Sequence, residues 1–479
     1  MKKSLFIIIA IVLVAAMLAL AGCESYKNAT FDRGDTSAPV ESNGGSVVKQ
    51  GNYVYFINGY ADYKTKPQDN WFGNVVKGAI MRISVDDLTK GDMSNVETIV
   101  PKSVVSSAAN TGFSIYGNYI YYVSPSAEED RSGTVQTDNL QFLRTDLNGQ
   151  GTQVILEIEG GKSTQYKYTS KGLTYVKDGN LYFKSTDAKR FKKNKDGDLI
   201  AEEVTAFMPV NRSYAGETTT DDVVFYTVSS KGTYDYTTTV YAYVPGGEPK
   251  EIINKETYPV QNNDAKLAYK SQFSISILGA ATEANGDVTL AYTKTYYSGT
   301  GSSGTTAGTF MYRFDSGYAF DPAKERQIYA ESLSSVTVIG FDEGVLSTSS
   351  TMTKYAYDTA TGKAALPVAF EDEKGSISSS ASIVAVRYGY VYYVNSNQLY
   401  SYKLDQSSYI NMLGAKATIK SDFIAPDFVT IGGKTNVMFF DSDSNYLFRY
   451  EFDSAKDNLT VEPTLLGVKT AADLKAEKE

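Results

Sequence analysis

Few of the residue types that do covalent or metal chemistry are present. The chain has no histidine and one cysteine, Cys23. Without imidazole there is no Ser-His-Asp triad, no Cys-His pair and no histidine-ligated zinc. Carboxylates remain. Asp441-Ser442-Asp443-Ser444-Asn445 has the spaced oxygens of a calcium loop, but Tyr446 stands where that loop needs glycine, and no suitably placed glutamate follows. Asn194-Lys195-Asp196-Gly197-Asp198 begins the same pattern, with Lys192 in place of the first acidic ligand. Both read as hairpin turns, so no metal and no other cofactor is expected. Glu128-Glu129-Asp130 reads as a solvated loop. A carboxylate pair could serve a glycosidase, yet spacing selects none of the 55 acidic residues. The lone thiol has a more specific setting. Lys2 and Lys3 are followed by an unbroken apolar run over residues 5–20 and by Leu20-Ala21-Gly22-Cys23. A charged start, an apolar middle and small residues before a cut make a secretory signal. The run is short for an uncleaved span, which takes about 20 apolar residues.

Leu20-Ala21-Gly22-Cys23 resembles the lipobox of bacterial lipoproteins. That resemblance implies a diacylglycerol thioether on Cys23 and removal of residues 1–22. Acyl chains contribute roughly 0.8 kcal/mol per buried CH₂, so two or three anchor firmly where one does not. Lipid would consume the only thiol, leaving a domain held together by its core alone. The net charge of −9 becomes −11 once Lys2 and Lys3 are gone. An acidic balance argues against a nucleic-acid partner. Lys189-Arg190-Phe191-Lys192-Lys193 is a local exception and reads as a solvated loop.

The elements that must position any site are strands. Residues 23–46 are polar and read as a lipidated, flexible tether. Residues 47–467 hold the fold, and 468–479 form a charged, Ala-rich tail, either a frayed helix or disordered. The chain has 38 tyrosines and 22 phenylalanines, and within the domain such aromatics join Val, Ile and Thr in short runs between Gly, Asn, Asp and Ser turns. These residues suit pleated, half-buried surfaces, and no sustained helical period appears. The runs recur: GNYVYFIN at 51–58, GNYIYYVS at 117–124 and GYVYYVN at 389–395 are the clearest of eight, with starts 42 to 66 residues apart. A second strand follows most of them. This repeat predicts an all-β fold, a β-propeller of seven or eight four-stranded blades. One blade shared by the two chain ends would close the ring.

The second unit is the most complete. It reads Gly117-Asn118-Tyr119-Ile120-Tyr121-Tyr122 and then Phe142-Leu143-Arg144-Thr145-Asp146-Leu147-Asn148-Gly149. It resembles the blade of low-density-lipoprotein-receptor-like (YWTD-type) propellers, and is similar to propeller domains of uncharacterised Gram-positive surface lipoproteins. Arg82, Arg144, Arg313 and Arg449 occupy the matching arginine position. The Trp-Thr-Asp part of the receptor motif is absent, so the receptor's ligands do not carry over. For the lipoprotein group the resemblance implies a fold and a lipid-anchored place on the outer face of a cell membrane, but no reaction.

In a propeller, equivalent loops project from one face. The long insertions 59–76, 125–139, 229–238 and 294–308 fall mostly between the aromatic strand and its successor. They place Tyr60, Tyr63, Trp71, Tyr234, Tyr236, Tyr296 and Tyr297 together. Such aromatics either contact a protein or glycan or pack the loops onto the blade tops. The sequence therefore favours a non-enzymatic binding or scaffold module for a protein, peptide or envelope polymer. The alternative is a carboxylate-dependent enzyme acting on polysaccharide. A solute-binding lipoprotein of two α/β lobes would need helices that the sequence lacks.

Overall fold

The computed structural model describes residues 27–61, 75–104, 112–127, 138–210, 223–231, 236–254, 273–283, 285–297, 304–333 and 335–347, the isolated residues 132 and 257, and shorter stretches between 352 and 478. Strand order is that of a repeated antiparallel meander. The first unit is Val47–Gln50, Tyr53–Ile57, Ile80–Ser84 and Glu97–Val100. The second is Ser114–Tyr116, Tyr119–Pro125, Leu140–Asp146 and Gln153–Ile158. The third is Tyr166–Tyr168, Gly172–Lys177, Asn180–Ser185 and Asp198–Ala201. The fourth begins at Val204–Pro209 and the fifth at Phe273–Thr282, and a single parallel bridge, Thr237 to Phe273, joins their sheets. The sixth, seventh and eighth begin at Ser335–Val338, Ser382–Arg387 and Asp427–Ile431. Among the described residues the repeat therefore runs to eight units.

Turn chemistry fixes the register of these hairpins. Gly51 (φ 56°) and Gly117 (φ 58°) open the two-residue turns between first and second strands. A primed turn needs positive φ at that position, and glycine supplies it without a Cβ clash. The strand that follows is buried on both faces: Val54, Tyr55, Phe56 and Ile57 are each at most 1 % exposed. A sheet covered on one side alternates apolar and polar residues, whereas a sheet covered on both does not. The continuous VYFI and IYYV runs therefore report that each unit is sandwiched between neighbours.

The apolar clusters show which neighbours these are. One spans the eighth, first and second units, including Phe440 and Leu447, then Phe56 and Ile80, then Ile120 and Leu143. Others join the second to the third through Phe142 and Leu173, and the third to the fourth through Leu181 and Val224. The series continues through fourth and fifth, fifth and sixth, sixth and seventh, and seventh and eighth. Every unit is packed on its successor and the last on the first. The fold is an eight-bladed β-propeller.

Closure does not use a shared blade. The eighth blade takes its strands from the C-terminal part of the chain alone, ending with Asn458–Leu459 and Thr464–Leu466. The polar composition of 23–46 predicts a flexible tether, but from Lys27 onward this stretch is laid along the first blade. Lys27–Asn28 pairs in parallel with Glu97–Thr98 at one edge of the sheet, and Val40–Glu41 pairs with Lys49–Gln50 at the other. The polar side chains that make the stretch look solvated bind it down: Tyr53 OH donates to Asp32 at 2.7 Å and Ser42 Oγ to Asp427 at 2.6 Å. The C-terminal tail ends in the helix Ala471–Ala476, whose N-cap Thr470 and Asp473 form a capping box.

Candidate functional site

A four-stranded meander crosses the ring four times. Connections between strands one and two, and between three and four, open on one face (the turn face). Connections between strands two and three open on the other (the insertion face). Residues 59–76, 125–139, 229–238 and 294–308 are all second-to-third connections, of blades 1, 2, 4 and 5. The last two are extended hairpins rather than loops. Val224–Lys231 pairs with Tyr236–Tyr243, and Val288–Tyr297 with Gly304–Phe314. Their Thr- and Tyr-rich composition prolongs the strands beyond the ring.

The expected contact residues divide accordingly. Tyr60 packs inward: its N–H donates to Asn445 O at 2.7 Å, and its ring meets Phe440 at 6.1 Å. Tyr296 is half-buried against the core of blades 4 and 5 and pairs with Phe273 and Thr305. Burial raises its phenol above the usual value, and the Glu325 charge adds to the rise. Tyr236 lies on a strand opposite Lys231, and Tyr297 opposite Gly304. Cys23, Tyr63, Trp71 and Tyr234 lie outside the described residues.

The repeated arginines stand on third strands and reach forward to the next blade. Arg82, fully buried, donates from Nε to Glu97 Oε2 at 2.9 Å and from one terminal nitrogen to Leu147 O, just past the third strand of blade 2. Its guanidinium lies 4.2 Å from the Tyr53 ring. Arg144 binds Gln153 within its blade and Thr186 O and Ala188 O past the third strand of blade 3. Tyr119 and Phe191 sandwich it at 4.5 and 4.7 Å. Arg449 binds Asn436 Oδ1 and, across the seam, Leu88 O of blade 1 at 2.8 Å. Arg313 also reaches the next blade, towards Asp342, from a bidentate pair with Glu283. The arginine marks a strut between blades: planar donors suit several carbonyls and a ring face at once.

On the turn face, a cleft of about 610 Å³ opens between blades 2 and 3. Tyr116, Tyr119 and Tyr121 line one side, and Ser170, Asp187 and Lys189 the other. Arg144 forms its floor but is engaged by the carbonyls named above. The basic run borders this cleft. Phe191 is held by Arg144, Lys193 pairs with Glu157 at 3.1 Å, and Lys189, Arg190 and Lys192 are exposed.

The acidic stretches serve the frame. Asp441 closes its turn by accepting from Asn445 N on its carbonyl and from Ser444 N on its carboxylate. Asp196 is bound by Lys177 at 2.8 Å and by Tyr175 OH at 3.2 Å. Residues 128–130 lie outside the described residues. Among the described residues no three acidic groups gather as a metal site requires. One buried pair escaped sequence reasoning. Lys294 and Glu325 form an ion pair with side chains 6 % and 7 % exposed, joined by Tyr292 OH. Burial lowers the Lys294 pKa against the opposing pull of Glu325, and the ammonium lies 3.7 Å from the Phe310 ring. No spacing links residues 31 positions apart on a strand and a loop, so nothing in the sequence signalled it.

No family model matches the sequence, and no curated protein matches it. Solved structures similar to the chain include a post-proline cleaving enzyme from Rickettsia typhi, at 13% identity and TM-score 0.40, over 87% of this chain. The chain spans 58% of that enzyme's length. Apo AztD from Citrobacter koseri is 9% identical, with TM-score 0.39 over 88% of this chain and 96% of its own. The β-propeller domain of the Trilobed protease from Pyrococcus furiosus is 11% identical, with TM-score 0.36 over 88% and 96%. At these values no activity passes to this chain, and the fold rests on its own strand order and closed ring of cores.

Proposed function

We propose that the chain is a lipid-anchored, extracytoplasmic β-propeller that acts as a binding or scaffold module for a protein, peptide or envelope polymer. The observation that carries this reading is the shared position of the long connections: all four join second to third strands. A rigid ring with variable loops on one face separates the residues that hold the fold from those free to contact a partner. Tyr60 and Tyr296, packed on the frame, support these connections, which leaves Tyr63, Trp71, Tyr234, Tyr236 and Tyr297 as the contact candidates. The apolar run and Leu20-Ala21-Gly22-Cys23 support export and lipid on Cys23. Immobilised protein from residue 23 onward is the bait for envelope extracts. Replacing Trp71 and Tyr63 together by alanine is expected to abolish capture of the partner so found, and unchanged capture removes these connections from the proposal. Cys23→Ser is expected to release the protein from the membrane fraction.

A further inference from the structure

The chain's entry onto the ring identifies the face nearest the anchor. Glu97 begins a fourth strand, so it lies at the turn-face end of blade 1. Lys27 sits opposite Glu97 in a parallel pair, so the described chain starts at the turn face. Residues 29–38 stay on that face. Arg82 donates to Asp32 O at 2.8 Å, Asp32 holds Tyr53 beside the Gly51-Asn52 turn, and Arg33 pairs with Asp146 at the end of a third strand of blade 2. Three residues separate Cys23 from Lys27, four Cα-to-Cα steps and a reach of at most about 14 Å.

Two further observations fall in the same sector. Phe31 is 83 % exposed, although it lies in a segment pinned on either side. Among the described residues the next most exposed large apolar side chain, Leu199, is on the outer strand of blade 3. The basic run extends this footprint. Gln153 of blade 2 donates to Lys189 O, which places the run beside the blade that receives Arg33. Lys189, Arg190, Lys192 and Lys195 are exposed there, with Asp187 the acid among them. Turn-face acids lie to either side of this run: Asp32, Asp35, Asp86 and Asp92 are exposed on blade 1, and Asp315, Asp321 and Asp342 belong to blades 5 and 6. In a chain of net charge −9, this sector brings exposed basic side chains and an exposed aromatic close to where the described chain starts.

We infer that the turn-face sector of blades 2 and 3 docks on an anionic membrane surface, with Lys189, Arg190 and Lys192 against the headgroups and Phe31, at the neighbouring edge of blade 1, at the interface. Aromatic rings favour the headgroup level, and basic residues near an anionic leaflet each strengthen attachment. Docking by this sector points the insertion face outward. The inference rests on Cys23 as the anchor for its orientation, but the surface can be tested without the lipid.

The test uses mature-length protein carrying Cys23→Ser, floated with vesicles of phosphatidylcholine alone or with a third phosphatidylglycerol. Binding is expected only to the anionic vesicles and should fall steeply with salt. K189E/R190E/K192E should weaken it at least tenfold, and Phe31→Ala several-fold, with the thermal midpoint unchanged because these side chains are exposed. No preference for anionic vesicles, equal binding by the triple variant, or retention on an acidic polymer without binding to vesicles would overturn the inference. Lipidation is read separately, as added mass on Cys23 in protein isolated from cells. Vesicle binding with an unmodified cysteine sinks the anchor and keeps the surface. A lipidated protein whose Cys23→Ser form ignores vesicles does the reverse.

Discussion

Asp427 of the last blade accepts hydrogen bonds from the backbone N–H of Ser46 and Val47 of the first, at 2.8 and 2.9 Å across about 380 residues of sequence. Glu41 reciprocates from the first blade by accepting from Thr430 N. First strands face the centre of the ring, and an unpaired N–H there is costly. Carboxylates thus do at the seam what a shared strand would do. Asp427 is 1 % exposed, so Asp427→Ala leaves two buried donors without an acceptor. The expected loss is about 2–5 kcal/mol, read as a lower urea midpoint. A variant as stable as the parent would assign closure to the apolar cluster alone.

The third-strand arginines should differ in cost according to what they leave behind. Arg82→Met strands the Glu97 carboxylate, whose side chain is 11 % exposed. Breaking a buried pair from one side costs about 3–5 kcal/mol. Arg449→Met frees only neutral acceptors, Asn436 Oδ1 and Leu88 O, for about 1–3 kcal/mol. Urea unfolding of both variants should rank them in this order. The opposite ranking would mean that the seam, and not the buried charge, dominates.

The Lys294–Glu325 pair permits a sharper comparison. Lys294→Met leaves a buried carboxylate and should destabilise by about 3–5 kcal/mol, whereas Lys294→Met with Glu325→Gln should recover most of that loss. A double variant no more stable than Lys294→Met would show that the ammonium acts through packing on Phe310 and not through its charge.

These cases mark what the sequence can and cannot disclose. The blades were legible because their signals are local: Gly51-Asn52 and Gly117-Asn118 set hairpins, and VYFI and IYYV report burial on both faces. Arg144 was legible as a repeat, although its role as a strut required the neighbouring blade's carbonyls. Asp427, Glu41 and the Lys294–Glu325 pair were not legible, because each is a single charged residue whose partner is set by ring closure or by the depth of a strand. The segment after Lys27 departs from its polar composition for a related reason. Short polar residues look solvated until a frame offers them donors, as Tyr53 does for Asp32.

The C-terminal helix should respond to acid at one identifiable group. Burial of Asp473 opposes its charged form, but hydrogen bonds from Thr470 and Tyr446 and the charge of Lys77 outweigh it and hold the carboxyl at about 2 instead of 3.8. The group binds its proton more readily when the chain is unfolded, so its contribution is complete above about pH 4 and is lost as the pH falls towards 2. The same carboxylate caps the helix Ala471–Ala476 and ties it to Lys77 in blade 1 and Tyr446 in blade 8. Acid should therefore release this helix before the ring opens. Amide exchange of residues 471–476 measured from about pH 5 to pH 2 should rise through that window relative to the intrinsic rate, while exchange within Tyr119–Pro125 stays slow. In Asp473→Asn the helix should exchange faster at every pH, with the acid step gone. An acid step that persists in that variant would place the responsible group elsewhere and reduce Asp473 to a helix cap.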